Sequence, residues 1–296
     1  MYDLLISAEQ LRALKDQGTR LMVFDCSFEL SNPAAGAEQY RQAHIPGAVH
    51  ADLDTALSDQ GMVNPDGTHH PHPDAASGGR HPLPSREKFA MWLSSVGFAN
   101  DMQAVVYDRQ NSSFCGRLWW MLKWAGHEAV AVLDGGLQAW QAAGGAMASG
   151  EDPAHFQSNY RLGPPLRRLV GTQEVLAYLQ DGRHTLVDAR AAPRFRGEVE
   201  PLDPVAGHIP GALNRPFTQN IGPDGRFRPA PELRAEFQQL LQGRDPAGVV
   251  HHCGSGVSAL PNLIAMELAG YGPSGLYAGS WSEWSRDPAR PVARGG

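Results

Sequence analysis

Positive charge is in short supply: 25 lysines and arginines stand against 31 aspartates and glutamates, a formal net charge of -6. That balance supplies no field for nucleic acid or anionic lipid, so neither a nucleic-acid nor a membrane partner is expected, and an anionic substrate needs a local positive site. Cysteine is scarce too. Cys26, Cys115 and Cys253 are odd in number and widely spaced, which suits a reducing, cytoplasmic compartment better than a disulfide framework. No CxxC pair is there to hold zinc,. Nowhere do about 18 apolar residues run together, and "MYDLLISAEQLRALKDQG" carries Asp3 and Glu9 where a signal peptide has basic and then apolar residues,. What remains, at 296 residues and 42% hydrophobic content, is a globular chain of about two domains,.

The chain repeats itself. "LMVFDCSF", "AHIPGAVHADLD", "AVVYDRQNSSF" and "AGHEAVAVLDGGLQAW" in the first half return in the same order as "TLVDARAA", "GHIPGALNRPF", "GVVHHCGSGVSA" and "AGYGPSGLYAGSWSEW". Val105 and Val249, Gly126 and Gly270, and Trp140 and Trp284 are separated by one constant interval, whereas His44 and His208 are further apart. The excess locates a longer connection in the first half, and Gly61 to Ser85, rich in Gly, Pro and His, reads as that loop,. Short β-rich runs (Leu21 to Phe24, Ala104 to Tyr107, Val130 to Leu133, Thr185 to Val187, Gly248 to Val250) alternate with helical stretches (Arg86 to Val96, Leu118 to Ala125, Glu232 to Leu241, Leu260 to Leu268). Such alternation predicts an α/β fold with a parallel sheet in each half. The expected division is residues 1–145, a linker at 146–165 poor in core-forming residues, and residues 166–296,.

The chemistry concentrates at "VVHHCGSGVSALPNL". Cys253 falls between a buried strand and a helix amino terminus, where α/β sheets usually carry their sites, and the helix is marked by Pro261 near its start and Gly270 past its end,. Gly254 and Gly256 let the backbone amides of Gly254, Ser255, Gly256, Val257 and Ser258 curl around one sulfur, favouring an anion there, thiolate or persulfide. The same donors would serve an acyl-transfer oxyanion. A cysteine-dependent phosphatase needs an arginine six residues after the cysteine, and that position is Ala259. In the aligned first copy Arg109 stands opposite Cys253 and both glycines are gone, which predicts a catalytic second half. Cys26 and Cys115 lack the cradle and read as core thiols. His69, His70 and His72 of "HHPHP" read as solvated loop residues, not as a metal site, having no carboxylate or cysteine at ligand spacing,.

These features together resemble the tandem-domain rhodanese family, which includes thiosulfate and 3-mercaptopyruvate sulfurtransferases. The resemblance rests on both "HIPGA" turns, "DGGLQAW", "GSWSEW", the first-half loop without cysteine and the six-residue loop "CGSGVS". It implies two tandem rhodanese-like domains, each a central parallel sheet flanked by helices, and catalysis by a persulfide on Cys253 with no metal and no cofactor. Sulfur would pass from a small anionic donor to cyanide, a thiol or a protein acceptor. Thiosulfate-type loops resemble "CRKGV" and mercaptopyruvate-type loops "CGSGV", so 3-mercaptopyruvate is the favoured donor and thiosulfate the alternative. A non-catalytic binding or redox-sensing module on the same fold is a further, remote alternative. By motif the mercaptopyruvate enzymes' serine, aspartate and histidine correspond to Ser255, Asp54 of "ADLD" and His81 of "RHPLP", with His69, His70 and His72 in the same loop. Gly254, Gly256, Val257 and Ser258 are expected to line the sulfur as substrate-binding residues. Of two donor-binding arginines, the first corresponds to Arg194, for which a surface ion pair with Glu198 is the other reading; the second falls at Leu202, a departure.

Overall fold

Strands such as Gln103–Tyr107 and Val249–His252 are buried along their whole length, the pattern of a parallel sheet covered on both faces,. The computed structural model describes residues 1–63 and 69–296. They group into two units. One comprises residues 1–58, 84–166 and 223–227, the other residues 59–83, 167–222 and 228–296.

In the first unit the five-stranded sheet runs in the order Leu5–Ile6, Val130–Leu133, Gln103–Tyr107, Leu21–Asp25, Val49–His50, every pair parallel. In the second the order is Arg168–Leu169, Gly275–Leu276, Val249–His252, Thr185–Asp188, Leu213–Asn214, again all parallel. The two orders are the same, so the repeat legible in the residues is a repeat of topology.

Local signals account for most helix ends. Ser7 caps Ala8–Asp16 in a reciprocal capping box with Gln10, and Ser85 accepts from the Lys88 amide at the start of Arg86–Ser95,. The helix after Cys253 is Leu260–Leu268, with Pro261 in its first turn and Gly270 at φ +81 beyond its end,. The two "HIPGA" histidines are buried turn fixtures: His44 Nδ1 meets Tyr40 O and His208 Nδ1 meets Phe195 O, each at 2.8 Å, and each ring stacks on an aromatic neighbour.

The loop expected over 61–85 differs in one respect. It holds a small antiparallel pair, Met62–Val63 with His69–His70. Residues 64–68 lie outside the described residues, as do the side chains of His69 and His70, on which the solvated-loop reading partly falls; His72 has a half-exposed side chain close to Asp59 and Asp74. From Asp59 to Leu83 the stretch packs as part of the second unit. Among the described residues no helix is long and apolar enough to cross a membrane.

Candidate active site

Cys253 leaves the central strand of the second sheet and is held at both backbone ends. Its N–H donates to Ser280 Oγ at 3.1 Å and its carbonyl accepts from Trp281 N at 3.0 Å, while Gly254 O accepts from Ser282 N at 2.8 Å. The loop 253–258 is thereby sewn to the turn that starts the short helix Ser280–Trp284. Gly256 sits at φ +73, and a β-carbon there would run into the carbonyl oxygen of Ala278. Glycine is required on both counts. Cys253, Ser255 and Val257 are buried, and Ser258 is half-buried.

Segment 78–83 of the same unit brings a histidine to this loop. Gly79 at φ +88 approaches Gly279 and Ser282 so closely that a side chain would not fit, and the Arg80 N–H donates to Ser282 Oγ at 3.0 Å. That docking sets His81 Nδ1 2.8 Å from Ser255 Oγ, with both side chains buried. At this distance the hydroxyl and the imidazole are hydrogen-bonded,. Asp54 belongs to the first unit, half-buried in the turn after Val49–His50, where its N–H donates to Asp52 Oδ1.

Arg194, on the short helix Ala192–Phe195, does not pair with Glu198, which binds Arg196 instead. Its Nη2 donates to Glu200 at 2.6 Å and to Asp203 at 3.3 Å. Glu200 also takes Arg190 and accepts the N–H groups of Leu202 and Asp203, so the turn is wound around one carboxylate. Burial pushes the Asp203 carboxyl above its usual range in spite of Arg80 and Arg194. The turn leaves Leu202 exposed and buries Asp203. A second guanidinium is nevertheless beside the loop: Arg80 also binds Asp203, and Arg80 and Arg194 both crowd Gly254. Position 80 was missed by motif reading. The only local hint is the "GGR" before His81.

Under the loop, His251 and His252 are fully buried and burial drives both toward the neutral form, His251 down to about 3. The first unit has an aspartate, Asp108, where the repeat puts His252. Its carboxylate accepts the backbone N–H groups of Gln110 and Ser112 on one oxygen and those of Phe114 and Cys115 on the other, at 2.9–3.1 Å. A carboxyl group of the chain itself therefore occupies that loop, and Arg109, standing opposite Cys253 in the repeat, is spent on Asp25 and Ser27.

Residues 7–143 and 171–287 each match the family described as the rhodanese-like domain. The "Probable 3-mercaptopyruvate sulfurtransferase" of Pseudomonas aeruginosa is 46% identical over 295 residues, covering 98% of each chain. A thiosulfate sulfurtransferase of Cricetulus griseus is 34% identical over 299 residues, covering 96% of this chain and 92% of its own. Among solved structures, that of a 3-mercaptopyruvate sulfotransferase from Escherichia coli superposes with a TM-score of 0.76 at 30% identity, covering 95% of this chain and 100% of the other. The chain belongs to the rhodanese-like family, with two copies of its domain in tandem. Within that family it is a sulfurtransferase, an enzyme that takes sulfur from a donor and gives it to an acceptor.

Proposed function

We propose that the second unit carries the catalysis and that Cys253 takes its sulfur from 3-mercaptopyruvate. The observation that carries this reading is the 2.8 Å pair of Ser255 Oγ and His81 Nδ1 beside the cysteine. The Cys253 thiolate attacks the thiol sulfur of the donor, an S–S bond forms, and the C–S bond breaks with its electron pair going to carbon. The resulting pyruvate enolate takes a proton from the Ser255 hydroxyl, which His81 resupplies, and the proton released from the transferred S–H group as the persulfide becomes an anion recharges His81. Amides of Gly254, Ser255, Gly256, Val257 and Ser258 solvate the persulfide anion. The outer sulfur then passes to cyanide, a thiol or a protein thiol, returning the Cys253 thiolate. Thiosulfate already carries a sulfane sulfur and leaves as sulfite, so it needs no such proton. The setting we assign is cytoplasmic, supported by three buried free thiols,. Asp54 joins the proposal on family resemblance, and Asp54→Asn tests it alongside Ser255→Ala.

The test is a side-by-side measurement of both donors. Ser255→Ala is expected to cut 3-mercaptopyruvate turnover by roughly a hundredfold, within the range of a positioned general acid, and thiosulfate turnover far less. Equal losses on both donors would reduce the serine to a shaper of the loop and make thiosulfate the better assignment.

A further inference from the structure

The family pattern leaves this chain one guanidinium short, because Leu202 stands where the second donor-binding arginine falls. We infer that Arg80 fills that part, making Arg80 and Arg194 the two jaws of the donor-anion site; the inference rests on the sulfurtransferase reading above. Arg80 comes from the segment that also delivers His81, and its backbone N–H on Ser282 Oγ ties it to the turn that holds Cys253. Gly254, next to the cysteine, has no side chain between the two cations. From the place a β-carbon on Gly254 would take, Arg80 Nη2 is 3.0 Å away and Arg194 Nη1 3.6 Å.

Both guanidinium groups are anchored by carboxylates. Arg80 Nη1 binds Asp203 Oδ1, and Arg194 Nη2 binds Asp203 Oδ2 and Glu200. These contacts fix both planes from behind. Nearest the β-carbon position of Gly254 are Arg80 Nη2 at 3.0 Å and Arg194 Nη1 at 3.6 Å, with the carboxylate-bound Arg194 Nη2 at 3.8 Å. Two forked cations converging beside a sulfur nucleophile suit the oxygens of a carboxylate or of a thiosulfate sulfonate group. A side chain at 254 would require the Arg80 tip to shift by a few tenths of an ångström. Leu202 is solvent-facing at 53% exposure, because Glu200 holds its N–H and turns the next residue, Asp203, inward.

The experiment is steady-state kinetics on the full chain with 3-mercaptopyruvate and, separately, thiosulfate, for the wild type, Arg80→Gln, Arg80→Lys and Leu202→Arg. Mass measurement of Cys253 at saturating donor accompanies each. Arg80→Gln is expected to raise KM for an accepted donor roughly ten- to hundredfold with kcat within about twofold, as loss of a charged hydrogen-bond partner implies. Arg80→Lys should recover part of that loss, and Leu202→Arg should leave KM unchanged. A raised KM for 3-mercaptopyruvate alone assigns the jaws to a carboxylate; a rise for both donors assigns them to anions in general. An unchanged KM in Arg80→Gln, or a loss confined to kcat and the unfolding midpoint, overturns the role of Arg80 while leaving the sulfurtransferase reading intact. Absence of the added sulfur on wild-type Cys253 overturns both.

Discussion

Ser255 Oγ and His81 Nδ1 lie 2.8 Å apart although 174 positions separate them in the chain. Neither residue is unusual where it stands in the sequence, one in a glycine-rich turn and the other in a proline-rich loop. In the reaction proposed above, the pair beside Cys253 supplies the proton that breaking a C–S bond demands and that transfer of a sulfane sulfur does not. The pair therefore bears on donor choice, while the cysteine loop bears on the reaction class.

Only one of the three thiols is expected to carry sulfur. Burial pushes the thiols of Cys26 and Cys115 well above their ordinary range, with Asp108 adding to both, so neither forms the nucleophilic thiolate. Cys253→Ser should bring turnover to background. Cys26→Ser and Cys115→Ser should retain more than about half, the chemistry being untouched. Donor-treated protein digested and weighed should show the extra sulfur on the Cys253 peptide alone; sulfur on either other peptide would redirect the mechanism.

Gly256→Ala should damage both folding and activity. The left-handed backbone alone costs a residue with a side chain about 1–2 kcal/mol, and here the new methyl also meets the Ala278 carbonyl. Gly243→Ala is the matched control, since its φ of +85 carries the same backbone cost with nothing within 4 Å. Urea midpoints should place Gly256→Ala well below Gly243→Ala, and only the former should slow persulfide formation. Equal midpoints would mean that the loop can move away from Ala278 at no cost.

Acid should weaken the protein through its buried histidines. An unfolded imidazole takes up a proton near pH 6.5, but folded His251, its Nε2 against the Met266 sulfur at 3.4 Å, is pushed down to about 3 by burial. Between those values the unfolded state binds more protons. Stability is thus fully present above pH 6.5 and is lost as pH falls, by about 1.4 kcal/mol per pH unit for such a group. His252 is shifted in the same direction. Unfolding midpoints measured from pH 8 to pH 4.5 should fall more gently in His251→Leu than in the wild type, and parallel curves would exclude His251 as a source of the acid sensitivity.

Much of this protein is legible residue by residue. The central strands declare themselves because strands covered on both faces are mainly apolar, as Val130–Leu133 is throughout and Gln103–Tyr107 is after its first residue,. The helix after Cys253 is bounded by Pro261 and Gly270 through backbone preferences that act within one turn,. Duplication is visible because both copies bury equivalent positions. The flanking strands Leu5–Ile6, Val49–His50, Arg168–Leu169 and Leu213–Asn214 are too short, at two residues each, to impress a pattern on the residues. The proposed donor site is the larger gap. Matching motifs in chain order looks for the second arginine at position 202, but the Glu200 turn faces Leu202 outward, and Arg80 reaches Gly254 because Gly79 and Ser282, more than 200 positions apart, pack backbone to side chain. Periodicity, caps and turns are local physics and can be read along a chain. Which cation ends up beside a given cysteine depends on packing between distant segments, and that is decided by the folded coordinates of the whole unit.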